Sequence, residues 1–231
     1  MRLAIFDLDG TLVDSRAAIA EAMAYAFTSL GLEAPAYEET RRIVGLSLEP
    51  AIRALRPELP EALIPALGEG YKQGFLRQRA EGRSEALYDG AAALVRGLKR
   101  EGWTLGIATG KARRGVEHFL ETHGFAGVFD CAFCADDGPG KPDPHMLRLN
   151  LAAARRSAEE AVMIGDTSFD MAMARAAGVY AQGVAWGFHT VAEIKAGGAQ
   201  HVAEAFEDLE AMLAAFATGA AAPYASSTNG P

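Results

Sequence analysis

No run of apolar residues in this 231-residue chain approaches the roughly 18 that a membrane-spanning helix needs, so no span is expected. The apolar stretch in the opening MRLAIFDLDG is too short for the core of a secretory signal, and no cleavage site follows it, so none is expected. Cysteine is scarce. Cys131 and Cys134 make a CxxC in FDCAFCADD, but no further ligands at zinc spacing accompany them. They read as two small buried residues in a short strand rather than a redox pair, and a reduced, cytoplasmic protein is expected. Basic residues are outnumbered: 22 Lys and Arg against 30 Asp and Glu give a net charge of -8. A nucleic-acid partner is therefore not expected, whereas a small anionic ligand stays compatible with a local pocket of opposite sign. Histidine is limited to His118, His123, His145, His189 and His201. Neither a GxSxG nucleophile elbow nor a zinc-binding HExxH occurs.

What the chain has in quantity is apolar side chains, 50% of the total, enough for a sizeable core. Leu3–Phe6 is a short apolar run ending in Asp-Leu-Asp-Gly and reads as a buried strand. Similar runs recur at Thr104–Thr109, Val128–Cys134, Ala161–Gly165 and Val179–Ala185. Helical patterns lie between them at Gly90–Arg100, Ala112–His123, Pro144–Arg155 and Ser168–Ala177, with a closing one through Phe206, Leu209, Leu213 and Phe216. Such alternation predicts an α/β fold, a Rossmann-like parallel sheet covered on both faces. From about Ser15 to Ser84 the alternation stops and only helical patterns remain; Ile19, Met23, Phe27 and Leu30 give one apolar face. The pattern from Pro60 to Gly82 is looser, broken by Pro65, Gly68, Gly70 and Gly74. The expected organisation is an α/β core at 1–14 and 86–217, an inserted all-helical cap at 15–85, and a disordered tail at 218–231.

Ligands in open parallel sheets bind beyond the carboxyl ends of the strands. Those ends carry Asp7 and Asp9; Thr109, Gly110 and Lys111; and Asp166, with Asp170 just after. Lys141 lies in the loop GPGKPDP. In an extended chain, Asp7 and Asp9 present both carboxylates on one side, where they repel unless a cation or proton intervenes. A single acid at a strand end usually caps a helix or turn. Four together, without His or Cys, suit a hard cation such as magnesium. Thr109-Gly110 before a helix offers a hydroxyl, close backbone approach and free N–H groups to a phosphate, and Lys141 adds a full charge. GIATGKA is not a P-loop: Gly106 and Gly110 stand too close, and Ala112 occupies the Ser/Thr position.

FDLDGTLVDS, ATGK, GKPDP and GDTSFDM, in that order from Phe6 to Met171, resemble the haloacid dehalogenase superfamily. The helical insertion resembles the cap that this superfamily places after its first motif. DLDGTLVDS, RRIVGLSLE, YDGAAALVRGLKREG and AWGFHT are similar to phosphoglycolate phosphatase-like members. The resemblance implies a magnesium-dependent phosphomonoester hydrolase. Asp7 would be the nucleophile that forms an aspartyl-phosphate, and Asp9 the general acid and base. Asp7, Asp166 and the backbone carbonyl of Asp9 would hold Mg2+, with Asp170 an outer ligand or the residue that orients Lys141. Thr109, Gly110 and Lys141 would bind phosphate. Dehalogenases lack the second Asp, so Asp9 points to phosphate esters.

The expected substrate is a small phosphorylated metabolite such as 2-phosphoglycolate. Among the cap's many arginines, Arg42, before the Val44-Gly45-Leu46 turn, is expected with Gly45 to contact substrate, and Lys111 to help an anionic leaving group. Trp186 and His189 read as structural. The cap has no His for the phosphoryl relay of a sugar-phosphate mutase. A mutase or a pyrophosphatase on the same core stays open, as does an aspartyl-phosphate signalling or binding module. Monomer and homodimer are not distinguished.

Overall fold

The computed structural model describes residues 2–220. Six parallel strands form the main sheet: β1 (Leu3–Phe6), β4 (Thr104–Ala108), β5 (Cys131–Phe133), β6 (Ala161–Gly165), β7 (Tyr180–Val184) and β8 (His201–Ala203), in the order β5-β4-β1-β6-β7-β8. β1 is central. Phe6 stands opposite Ile107 of β4 on one side and Ile164 of β6 on the other, so the carboxyl ends of three strands lie level. The chain winds outward from β1 through β4 to β5, then returns across it to β6, β7 and β8. The reversal falls at β1, where such sheets open a crevice.

Strand periodicity divides β1 between two cores. Ala4 and Phe6 face one, with α5 (Ala91–Arg100), α6 (Arg113–Thr122) and α10 (Phe206–Ala217) over it. Leu3 and Ile5 face the other, under α7 (His145–Ala154), α8 (Ser168–Ala177) and α9 (Val191–Gly197). Burial on both faces explains why the strands read as continuous apolar runs. The fold is the expected α/β, Rossmann-like one. Two of its elements, α9 and β8, are additions to the sequence reading. β5 is shorter than Val128–Cys134, because Val128 donates its N–H to Phe125 O (3.0 Å) in a turn and the Asp130 carboxylate takes the Leu105 N–H (2.9 Å).

Residues 16–80 are helical: α1 (Arg16–Ser29), α2 (Tyr37–Thr40), α3 (Leu48–Leu55) and α4 (Ile64–Ala80), joined by short turns. They bury an apolar cluster of their own, including Met23, Phe27, Ile52 and Leu67. The glycines that loosen the pattern of α4 have a packing cause. A Cβ on Gly70 would lie 2.9 Å from Ala26 Cα, and one on Gly74 would lie 2.8 Å from Ala22 Cα, so only glycine lets α4 rest on α1 this closely. Pro65 sits in the first turn of α4, where no N–H is needed. The two chain crossings between sheet and helices run side by side as an antiparallel ribbon of β2 (Val13–Asp14) and β3 (Ala86–Leu87). Of the tail expected at 218–231, residues 221–231 lie outside the described residues.

Candidate active site

Asp7 directly follows β1, and its N–H still bonds across the sheet to Ile164 O (2.9 Å). The chain then turns tightly: the N–H groups of Leu12 and Val13 both reach back to Leu8 O (2.9 and 3.0 Å). Gly10 makes this turn at φ +79°, and a Cβ there would come within 2.2 Å of Asp166 Oδ2, so no side chain fits. The Asp7 carboxylate is buried between two donors. Its Oδ1 accepts the Leu8 N–H (2.7 Å), and its Oδ2 lies 2.8 Å from Lys141 Nζ. Burial, opposed by Lys141 and reinforced by Asp170, pushes its pKa up to about 6.

Lys141 is enclosed. Its Nζ also sits 2.6 Å from Asp170 Oδ1, and none of its side chain meets solvent. Burial disfavours its charge, but Asp170 and Asp7 outweigh that and hold the ammonium above its ordinary pKa. Asp170 is fixed from its other oxygen by the Thr167 hydroxyl (2.6 Å) and N–H (3.1 Å), in a capping box that opens α8. Asp166, at the end of β6, accepts the Thr11 hydroxyl (2.9 Å) and the Phe188 N–H (2.8 Å). Burial first, then Asp7 and Asp170, raises its pKa well above the carboxylate range. Gly165 and Gly187 leave the space this cluster fills: a Cβ on either would meet Asp170 or Asp166 within 2.4 Å.

Carboxylate oxygens of Asp7, Asp166 and Asp170 lie within 4.8 Å of one another, all buried. Three acids face one ammonium, an excess of negative charge that the protein itself does not balance. An oxygen-only, anionic, dry site of this kind fits a hard divalent cation. The Asp9 side chain is not in that cluster. Its Oδ1 pairs with Lys111 Nζ (2.8 Å), which also holds Glu85 Oε1 at 3.0 Å.

Thr109 is buried at the end of β4 and accepts the Lys111 N–H on its hydroxyl (3.3 Å). Gly110 lies against the helical unit: a Cβ there would be 2.8 Å from Leu46 O and 2.9 Å from Gly45 O. The first N–H of α6, that of Arg113, is already taken by Asp136 Oδ2 (2.7 Å), so this helix start is less open to phosphate than its sequence suggested. Above these loops a cavity of about 740 Å³ separates the sheet from the helices. Asp7, Asp9, Thr109, Gly110, Lys111 and Gly45 all line it. Gly45, at φ +101°, packs on Thr167; a Cβ would lie 2.9 Å from its hydroxyl.

Arg42 does not belong to this group. It is exposed and is not part of the cavity lining; its neighbour Arg41 turns inward and ties the helices to the core through Glu193 (3.0 Å) and Phe188 O (3.3 Å). Trp186 donates its indole N–H to Thr11 O (3.1 Å), and His189 Nδ1 accepts the Ser168 N–H (3.0 Å), supporting contacts on the turn after β1 and the start of α8. The sequence reading missed Glu85, Thr11 and the cavity-facing Tyr71 and Phe75. For Thr11 the DGT triplet was the available signal; Glu85 and the two rings offered none, since an isolated acid and two helical aromatics read as surface and core.

The chain is similar to known proteins in both sequence and fold. A family model described as "Haloacid dehalogenase-like hydrolase" matches residues 4–184. A probable phosphatase, IndB, of Dickeya dadantii is 32% identical over 209 residues, covering 90% of this chain and 91% of that protein. A phosphoglycolate phosphatase of Agrobacterium fabrum is 33% identical over 195 residues, 82% of each chain. The crystal structure of a predicted phosphatase from Clostridium acetobutylicum superposes with a TM-score of 0.83 at 24% identity, over 92% of this chain and 98% of that one. The chain therefore belongs to the haloacid dehalogenase-like hydrolase family, and its relatives place it among the phosphatases of that family.

Proposed function

We propose that the protein hydrolyses phosphomonoesters of small metabolites by a two-step transfer through Asp7. The observation that carries this reading is the Asp7 carboxylate, fixed by the Leu8 N–H and Lys141 and set on the floor of the cavity with Asp9 beside it. In the first step an Asp7 oxygen attacks phosphorus, the P–O ester bond breaks, and Asp9 gives its proton to the departing alkoxide. In the second, Asp9 takes a proton from water, the resulting hydroxide attacks phosphorus, and the Asp7–phosphorus bond breaks to release phosphate.

Lys141, the Thr109 hydroxyl and the Gly110 N–H hold the phosphoryl oxygens, so that transfer rests on positioning and charge neutralisation. Asp7, Asp166 and the Asp9 carbonyl would hold Mg2+, with Asp170 behind them. The ion supplies positive charge to the transferring phosphoryl group. The four helices between Asp14 and Glu85 act as a cap, closing over the substrate about the β2–β3 ribbon and excluding water.

The test is phosphate release from an ester panel with magnesium. The panel includes 2-phosphoglycolate, which names the Agrobacterium fabrum relative, together with pyrophosphate and a hexose phosphate. Release that depends on magnesium and disappears in Asp7→Asn is expected. Release that survives both the substitution and a chelator refutes the reading, and a best rate on pyrophosphate replaces the ester by an anhydride.

A further inference from the structure

We propose that Arg79 grips a second anionic group, a carboxylate or a phosphate, carried by the leaving alcohol, and so decides which phosphomonoesters this site prefers. The proposal rests on the phosphomonoesterase reading and concerns the wall of the cavity beyond Lys111. Gly68, Tyr71, Phe75 and Arg79 follow one another three or four residues apart along α4, so they share one helix face, and all four line the cavity. The opposite face, with Gly70 and Gly74, rests on α1. The packing of α4 on α1 therefore turns Arg79 toward the site.

Eight arginines lie between residues 16 and 83, and Arg79 is the one on this lining. Arg41, Arg53, Arg56 and Arg83 are paired with glutamates, Arg77 lies over the Tyr25 ring at 4.8 Å from its centroid, and Arg42 is exposed outside the cavity. Arg79 is half-buried, and among the described residues no carboxylate pairs with it and no hydrogen bond engages it. The last turn of α4 suits any cation, and Arg77 takes that advantage from the outer surface. The helix dipole does not account for a guanidinium on the cavity wall. Partial burial strips some of its hydration, and its planar fork matches a carboxylate or a phosphate with two parallel N–H bonds.

Other cations do not take this role. Lys111, beside Asp9, is spent on Asp9 (2.8 Å) and Glu85 (3.0 Å). Lys72 and Arg114 line the cavity too, but both are exposed and screened by water. The Phe75 ring, one turn before Arg79, lies over Lys111 Nζ at 5.6 Å. Burial first, then Arg79 and more weakly Lys111, hold the His118 pKa below its ordinary value, which puts both cations near one stretch of α6. An alcohol leaving from Asp9 passes Phe75 and then meets Arg79, and about 740 Å³ accommodates its length.

The assay moves a carboxylate outward from the ester: 2-phosphoglycolate, 3-phosphooxypropanoate and 4-phosphooxybutanoate, each against the alkyl phosphate of equal carbon number. With magnesium present, kcat/KM is measured on the wild type and dissociation constants by calorimetry on Asp7→Asn. At the best length the acid is expected to exceed its alkyl partner about tenfold, through KM, as a charge-assisted pair at a half-exposed site should. A second phosphate in place of the carboxylate at that length shows which anion the fork takes. Arg79→Met should bring the acid-to-alkyl ratio down to about one, and Arg79→Lys should keep about a third of it. Arg114→Met, on the same lining, should change the ratio less than about twofold. A ratio of one or below at every length, for carboxylate and phosphate alike, overturns the proposal. So does a folded Arg79→Met with an unchanged ratio, or an Arg114→Met that lowers it equally. Should Arg79→Met fail to fold by circular dichroism, the wild-type ratios and Arg79→Lys decide. If no ester is turned over but Asp7→Asn prefers the acid and its combination with Arg79→Lys loses that preference, the hydrolase reading fails and the anion subsite stands.

Discussion

Replacing Lys141 by methionine keeps most of the side-chain volume and removes one charge. In the folded protein that charge lies 2.8 Å from Asp7 and 2.6 Å from Asp170, with the lysine side chain and both carboxylates essentially inaccessible to water. The substitution therefore leaves two buried carboxylates, with Asp166 nearby, facing one another without a counter-charge. Removing one partner of a buried ion pair costs about 3–5 kcal/mol, because the remaining charge keeps its desolvation penalty. For a chain of this size each kcal/mol shifts the midpoint by roughly 2–4 °C, so the loss corresponds to about 6–20 °C in Tm. Protonation offers an escape, and the deficit should shrink at pH 5 relative to pH 8. Magnesium should narrow it as well. The assay is urea unfolding in a chelator, followed by tryptophan fluorescence and circular dichroism, repeated with magnesium and at both pH values. A loss under about 1 kcal/mol at pH 8 in the chelator would show that the three acids do not depend on Lys141. Under the proposed mechanism Lys141 would also hold the phosphoryl group, so activity should fall by more than the fraction unfolded explains, roughly 10²–10³-fold.

Without a divalent cation, Asp7 binds protons more readily folded (pKa about 6) than unfolded (3.8), so its contribution to stability falls as pH rises from about 4 to 6. That slope, on the order of 3 kcal/mol in total, should flatten when magnesium is added to the urea titration. At the α1–α4 contact, Gly74→Ala should destabilise despite better helix propensity, because its Cβ meets Ala22 Cα at 2.8 Å. Gly97→Ala in α5, whose Cβ meets nothing nearer than an Arg100 nitrogen at 4.0 Å, should stabilise by about 0.5–1 kcal/mol in the same assay. Glu193, held at a pKa of about 2 first by the Thr190 N–H and then by the Thr190 hydroxyl and Arg41 against partial burial, contributes stability above its ordinary pKa of 4.5 that is lost as pH falls toward 2. Carbon NMR titration of Arg41→Met should find Glu193 still titrating below 4.5, because Thr190 remains.

The sheet was legible because its strands are buried on both faces and so lose the polar alternation that would disguise them. Leu3–Phe6 and Ala161–Gly165 read as strands for that reason and are strands. β8 escaped because three residues, His-Val-Ala at an edge, carry too little apolar signal to separate from a loop. In α4 the difficulty was of another kind: Gly70 and Gly74 look like helix breakers in isolation, and only the position of α1 shows that they are contact points. Local propensity describes a segment against water, and here tertiary packing reversed its sign.

The same distinction separates the legible from the illegible parts of the site. Asp7, Asp166 and Lys141 could be found because strand ends and glycine-flanked loops converge at the switch point of a parallel sheet, and topology alone puts them together. The environment of Lys111 could not be found in this way. Its neighbour in sequence is Gly110, yet its surroundings are Asp9, Glu85 and Phe75, drawn from the turn after β1, the residue just before β3, and α4. From the sequence, a lysine beside a phosphate loop is a free positive charge awaiting an anion. In the structure that charge is spent on Asp9 and Glu85. Nothing in the spacing of residues 85 and 111 records the contact, because it depends on how the helical unit docks. Under the proposed function, the motifs of the core encode where a phosphoryl group would sit, while recognition of the alcohol it is taken from would depend on an interface between two parts of the chain.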